Sequence, residues 1–271
     1  MLIFLSNKRW NSVEKRRALV TGASSGIGRE FAGQLAAQGY SVIGVARRED
    51  QLKELVAELA GDGHTYIVAD LGSLAGVQSV MHELQQERVN LLINNAGLSV
   101  FEPFYESELS AQHNILSVNC ESLMMLAHTF LRQSEQGDAL INLSSIVAFL
   151  PTPAQPMYSA SKAFIASFSE CLWEEHRKRG VYVMGLCPGI TQTEFILSAT
   201  GGEADGQTLP PVLIQTTAEV VDEALQALSA RKKAIIVTGW INRMMLLMPR
   251  FLTRHRLLKV LAVIGDPDKA L

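Results

Sequence analysis

Short runs of β-branched and aliphatic residues alternate along the chain with longer stretches in which apolar positions return every three or four residues. The short runs predict strands over Ala18–Thr21, Ser41–Ala46, Thr65–Ala69, Leu91–Asn94, Ala139–Leu143, Val181–Leu186 and Ala234–Val237. The longer stretches predict helices over Ile27–Gln38, Gln51–Ala60, Leu74–Glu87, Ser110–Arg132, Met157–Arg179 and Ala218–Ser229. Strands that are apolar throughout belong to a parallel sheet covered on both faces. Right-handed crossovers then give an α/β, doubly wound sheet of about seven parallel strands with helices on both faces. No repeat, low-complexity tract or linker interrupts the pattern. The expectation is one domain, with a leader over 1–15, a core over 16–238 and a C-terminal helical extension over 239–271.

Composition adds exclusions. The 271 residues are 48% hydrophobic and 19% charged, enough for a large core and against general disorder. Lys and Arg number 24 against 27 Asp and Glu, so the net charge of −3 draws neither nucleic acid nor membrane to the chain as a whole. Cys120, Cys171 and Cys187 are odd in number and lack CxxC spacing, which suggests no disulfide framework and no metal site. They read as small core residues of a cytoplasmic protein. The apolar start, MLIFL, is too short for a signal peptide or a span, and the stretch near 234–264 is interrupted by Arg243, Pro249, Arg250 and Arg254–His255–Arg256.

The chemistry begins after the first strand, which runs into Thr21-Gly22-Ala23-Ser24-Ser25-Gly26-Ile27-Gly28 and then a helix. Glycines permit a tight turn and close backbone approach, and the helix N-terminus offers N–H groups to a pyrophosphate. The second strand ends Val45-Ala46-Arg47-Arg48. An acidic residue there would bond a ribose 2′-hydroxyl and prefer NAD. Arg47 and Arg48 instead suit a 2′-phosphate, unless they pair with Glu49 and Asp50 just beyond. NADP(H) is therefore favoured, with NAD(H) as the second reading. The third strand ends Ala69-Asp70-Leu71, where the carboxylate suits either an adenine amino group or a helix cap.

Downstream lies Tyr158-Ser159-Ala160-Ser161-Lys162. Positions i and i+4 share a helix face, and an ammonium beside a phenol favours phenolate, tuning the tyrosine for proton transfer. The fifth strand ends Ser144-Ser145, the fourth Asn94-Asn95-Ala96-Gly97, and the sixth leads into Cys187-Pro188-Gly189-Ile190-Thr191-Gln192-Thr193. All carry polar groups to the C-terminal edge of the sheet, where such sheets bind ligands.

With TGASSGIG, NNAG, the strand-end serine, YSASK and PGITQT in that order, residues 17 to 238 resemble the short-chain dehydrogenase/reductase family. The resemblance implies a Rossmann fold and roles for matching positions. Tyr158 is the implied general acid–base, Ser145 orients the substrate oxygen, and Lys162 lowers the tyrosine pKa and bonds the nicotinamide ribose. Asn119 matches the helix asparagine of the proton relay; unaided, it reads as a polar residue bending a buried helix. Gly22, Ser24, Ser25, Gly26, Ile27 and Gly28 would cradle the pyrophosphate. Arg47, Arg48, Asp70, Leu71, Asn95, Ala96 and Gly97 would line the adenosine side, and Pro188, Gly189, Thr191 and Thr193 the carboxamide end.

The implied reaction is reduction of a ketone or aldehyde, or oxidation of the matching alcohol. A non-catalytic dinucleotide-binding protein would have lost Ser145, Tyr158 or Lys162, and all three are present. A membrane-associated reductase of lipid or 3-ketoacyl substrates is a further alternative. Val100, Phe101, Phe104, Val147, Phe149 and Leu150 suggest a moderately apolar substrate, and the glycines and prolines of Glu194–Gln215 suit a lid. Family resemblance also implies a homodimer or homotetramer, paired through the helices near Ser110–Arg132 and Met157–Arg179.

The extension is basic. Arg231 to Gly265 carries eight Lys or Arg and no acid, leaving −11 on the rest of a chain of net −3. Ile241, Met244, Met245 and Met248, then Leu257, Leu258, Leu261 and Ile264, repeat at helical spacing. Such a segment suits either an anionic membrane surface or packing on the domain or a second subunit. Packing is favoured, because the apolar face is broad enough to be core.

Overall fold

A central parallel strand needs apolar side chains on both faces, and the predicted runs supply them. The computed structural model describes residues 16–153, 155–194 and 211–264. Its elements run β1 (Arg17–Thr21), α1 (Gly26–Ala37), β2 (Ser41–Ala46), α2 (Glu49–Glu58), β3 (Thr65–Val68), α3 (Leu74–Gln86) and β4 (Leu91–Asn94). Next come α4 (Leu109–Leu116), α5 (Leu123–Gln133), β5 (Ala139–Leu143), α6 (Pro156–His176), β6 (Tyr182–Cys187) and β7 (Ile190–Thr191). The chain continues through β8 (Ile214–Gln215), α7 (Thr217–Ala230) and β9 (Ile235–Val237) to α8 (Trp240–Met245), α9 (Met248–Phe251) and α10 (Arg254–Ile264). The main sheet has seven strands in the order β3-β2-β1-β4-β5-β6-β9, all parallel.

Alternate residues of each strand feed opposite layers. Ala18, Val20, Ile93, Ile141 and Met184 meet Phe31 and Leu35 of α1, Leu52 of α2 and Val220 and Val221 of α7. Leu19, Leu92, Leu140 and Val183 meet Val80 and Leu84 of α3 and Leu126 and Phe130 of α5, with Phe168 and Leu172 of α6 packed beside them. The order reverses between β1 and β4, so the C-terminal strand ends open onto a crevice there.

Three differences from the sequence reading have physical causes. The helix predicted over Ser110–Arg132 is interrupted by a π-helical stretch, Ser117–Ser122, centred on Asn119 and Cys120. Buried polar side chains drive it, since Asn119 is fully buried with partners outside its own helix. The cysteines are not alike: Cys187 is buried, Cys120 half-buried and Cys171 exposed, so the core reading holds for Cys187 alone. A two-stranded parallel sheet, β7 with β8, ties the segment after β6 to the start of α7. Residues 1–15 and most of the expected lid, 195–210, lie outside the described residues.

After β9 the extension folds back on the sheet's C-terminal edge. Leu257 and Leu261 of α10 bury themselves with Leu150, and Met245, Leu246, Met248 and Leu252 pack around them. Among the described residues no helix is long and apolar enough to cross a membrane.

Candidate active site

The glycine-rich loop depends on backbone conformations that a side chain would forbid. Gly22 and Gly26 have φ of +68° and +56°, in the left-handed region. At Gly28 a Cβ would stand 2.3 Å from the carbonyl oxygen of Gly22. Thr21 locks the loop to its neighbour: its Oγ1 accepts from the backbone N–H groups of Asn95 (2.9 Å) and Ala96 (3.0 Å). Asn95 Nδ2 in turn donates to the carbonyl of Thr21 at 2.8 Å. Thr193 reaches the loop from the other side, its Cγ2 3.1 Å from where a Gly26 Cβ would be.

The start of α1 suits an anion. Its N-cap, Ser25, makes no side-chain cap bond, and no acid lies in the first turn, so the first N–H groups and the positive dipole end are left for a phosphate. The two arginines after β2 diverge. The Arg48 guanidinium donates to Ser24 Oγ (3.1 Å) and Ser25 Oγ (2.8 Å) and pairs with Glu194 at 3.1 Å. Arg47 is exposed and has no such contact among the described residues. Asp70 is exposed and one carboxylate oxygen accepts from the Gly72 N–H at 3.0 Å, a local turn. The Leu71 side chain belongs to the core, leaving its backbone for any cofactor contact.

Across the crevice, β5 delivers Ser145 and α6 delivers Tyr158 and Lys162. Ser145 is buried; its hydroxyl donates to the Pro188 carbonyl at 3.4 Å and accepts from the Val147 N–H at 3.3 Å. Lys162, 2% exposed, stands with Nζ 5.4 Å from the centroid of the Tyr158 ring and donates to the Leu143 carbonyl at 2.8 Å. Burial pushes the Tyr158 phenol above its ordinary range, opposed by the Ser145 hydroxyl. Burial pushes Lys162 down to about 8. Gly97 lies against this group, its Cβ position 3.5 Å from both Lys162 Nζ and Asn119 Oδ1.

Asn119 closes the arrangement. Its Oδ1 accepts from Leu98 N–H at 2.8 Å, and its Nδ2 donates to Leu98 O at 3.0 Å and Ser161 Oγ at 2.9 Å. Ser161 donates onward to the Tyr158 carbonyl at 2.7 Å, and Ser144 donates to the Lys162 carbonyl at 2.7 Å. The π-helical stretch and α6 are thereby pinned to each other. On the last loop Thr191 Oγ1 donates to Gly189 O at 3.2 Å and Thr193 Oγ1 to Thr191 O at 3.4 Å.

Several positions escaped the sequence reading. Ser161 sits inside YSASK and could have been found there. Asn142 is a polar residue in an apolar strand, and the structure gives it a buried chain from Asn94 through Asn142 to Ser169, each link 3.0 Å. Asn242 carried no signal, yet a Cβ on Gly189 would lie 2.4 Å from its side-chain amide. The first helix of the extension thus presses on the loop after β6. Among the described residues no group of His, Cys, Asp or Glu could hold a metal.

A doubly wound parallel sheet with a glycine-rich turn after its first strand, and a Ser–Tyr–Lys group at the facing rim, defines a dinucleotide-dependent oxidoreductase. Residues 16–202 match the family described as short chain dehydrogenase, and the chain belongs to that family. It is an oxidoreductase acting on alcohol or carbonyl groups with a nicotinamide cofactor. Sulfoacetaldehyde reductase 2 of Chromohalobacter salexigens is 36% identical over 192 residues, 68% of this chain and 76% of its own. A short-chain dehydrogenase from Sphingobium yanoikuyae, solved in complex with NADPH, has a TM-score of 0.75 and 29% identity, covering 82% of this chain and 87% of its own. A 7beta-hydroxysteroid dehydrogenase structure aligns with a TM-score of 0.82 and 25% identity over 91% of this chain and 96% of its own.

Proposed function

We propose that the protein is an NADP(H)-dependent reductase of moderately apolar ketones or aldehydes, with Tyr158 as the proton donor. The observation that carries this reading is the grouping of buried Ser145 and Lys162 with Tyr158 at the sheet's C-terminal rim, with the Lys162 ammonium 5.4 Å from the centroid of the Tyr158 ring. Gly22, Ser24, Ser25, Gly26, Ile27 and Gly28 would hold the pyrophosphate, and the uncapped start of α1 fits that role. Arg48, with Ser24 and Ser25, would take the 2′-phosphate, which favours NADP(H) over NAD(H); Arg47 is left with long-range attraction. Asp70, Leu71, Asn95, Ala96 and Gly97 would line the adenosine side, and Pro188, Gly189, Thr191 and Thr193 the nicotinamide side. When bound, the nicotinamide supplies or accepts the hydride.

The chain's own residues handle the charge. Burial keeps the phenol protonated at neutral pH, the state in which it can donate. Ser145 would donate to the substrate oxygen as negative charge gathers there, and Tyr158 would hand over its proton. Lys162, expected to lower the tyrosine pKa, does not bring it down here, where burial dominates; its ammonium would act by stabilising phenolate as the proton leaves. Asn119 acts through Ser161 and the Leu98 backbone, holding the π-helical stretch against α6. Of the apolar residues after β4 and β5, Val100, Phe101, Val147 and Phe149 are half-buried, which supports an apolar carbonyl compound as substrate, whereas Phe104 is exposed and Leu150 is buried against α10.

The same reading includes a single domain, with core 16–238 and extension from 239, in a cytoplasmic homo-oligomer. Leu116 and Met124, flanking the π-helical stretch, and Phe164 on α6 are exposed, an apolar surface suited to a twofold helical interface. The test is NADPH oxidation over a panel of ketones, aldehydes and acyl thioesters beside Tyr158→Phe. Turnover should fall by roughly 10²–10⁴-fold with cofactor affinity retained. Turnover within about threefold of wild type would refute the assignment.

A further inference from the structure

The extension has two apolar faces, and among the described residues one of them is packed and the other is exposed. Met245, Met248 and Leu252 pack inward on Leu150, Leu257 and Leu261. Displaced by one residue along the chain, Trp240, Met244, Leu247 and Phe251 form a second row, spaced by four, three and four. These four point outward, with Trp240 67% and Phe251 82% exposed. Single exposed apolar residues are ordinary, but four large ones in a row at helical spacing mark a surface for something else.

Charge identifies the occupant. Between Glu223 and Asp266 there is no acidic residue. Arg243 is paired with Glu223, while Arg254, Arg256 and Lys259 of α10 are exposed and have no ion pair among the described residues. A second copy meeting this face would bring the two sets of cations together with no acid on the segment to pair them. An anionic bilayer supplies what both features need, headgroup charge for the cations and an acyl boundary for Trp240 and Phe251. We propose that the outer face of α8–α10 docks on the surface of an anionic lipid bilayer. Because α10 is seated on Leu150, five residues beyond Ser145, docking brings the segment after β5 toward the lipid.

The test uses the full chain with sedimenting vesicles of phosphatidylcholine alone and with about one third phosphatidylglycerol. Binding is expected to the anionic vesicles at low salt and release as salt is raised. Neutralising Arg254, Arg256 and Lys259 to Gln together should weaken partition by roughly a hundredfold. Trp240→Ser with Phe251→Ser should abolish retention while turnover of a water-soluble carbonyl and the melting temperature stay unchanged. No binding to anionic vesicles at low salt overturns the proposal. So does binding that survives the Trp240/Phe251 change. Conversion of a dimer to a monomer by that change, with no vesicle binding by the parent, assigns the row to a subunit interface and overturns it too. Loss of turnover on the soluble substrate would mean that the row supports the cleft, against lipid docking, whereas failure of the reductase reading would leave vesicle binding intact.

Discussion

The cofactor-facing rim and the C-terminal extension lie on the same edge of one sheet but are built on different physics. The rim is over-determined. Gly28 admits no Cβ, Thr21 satisfies two backbone donors of the adjoining strand end, and Asn119 has both amide ends engaged. Beyond Asn242 and Arg243, which have specific polar partners, the extension is held by three buried leucines and the half-buried methionines and leucines around them. Constraints of the first kind demand particular residues at particular positions. Those of the second accept any apolar side chain of suitable size. Chemistry therefore sits on the rim, and surface properties are carried by the extension.

The contrast can be broken most directly by cavities. Leu140→Ala, deep between the sheet and α5, should lower global stability by about 2–5 kcal/mol in urea unfolding. Leu257→Ala should leave the main transition nearly unmoved and raise tryptic cleavage within α10, the mark of local opening. Equal global losses from the two would show that the extension is part of the cooperative core.

A charge buried at the rim should give the next largest effect. Lys162 is held at about 8 against an ordinary 10.5, so between those values the unfolded chain binds more protons and stability rises with pH. The gain is about 2 kcal/mol from about pH 7.5 to 9.5, and Lys162→Met should lack it. The raised phenol of Tyr158 acts with the opposite sign above pH 10: the folded state keeps a proton that the unfolded state loses, and stability falls. Parallel pH profiles for wild type and Lys162→Met would remove the buried ammonium from the account.

Affinity changes rank below these. Arg48→Ala should weaken NADPH by roughly tenfold or more and NADH little, whereas Arg47→Ala should change either by less than about threefold. Isothermal titration of both cofactors to both variants decides between the arginines. The smallest effect concerns Glu194, whose carboxylate shares Arg48 with any incoming phosphate. An exposed pair of this kind is worth up to about 1 kcal/mol, so Glu194→Gln should tighten NADPH by no more than about fivefold and leave NADH alone. Looser NADPH binding in Glu194→Gln would mean that the carboxylate orders the arginine instead of competing for it.

Much of the rim was legible because its signals are local. Glycines at a strand end followed by a helical period specify a turn and an N-terminus whatever surrounds them, and the Tyr158–Lys162 spacing puts two side chains on one helix face. The sheet was legible for the same reason, since doubly apolar strands leave few topologies. Ser161 and Asn142 were harder, because a serine or asparagine looks alike whether it faces solvent or a buried partner. Asn242 was illegible: its function is to touch Gly189, 53 positions away in the chain, and no period or motif encodes that contact.

By itself, then, the sequence determined the doubly wound sheet, the anion-binding turn and the group of Ser145, Tyr158 and Lys162, all of which follow from backbone preference and short-range spacing. Tertiary structure decided which of two adjacent arginines reaches Ser24 and Ser25, where the long helix loosens around Asn119, and which cysteine is core. It also split one apolar segment into an inner row seated on Leu150 and an outer row left exposed. Periodicity states that a helix has an apolar side. What that side meets depends on the surfaces that distant parts of the chain bring to it, and those exist only after folding.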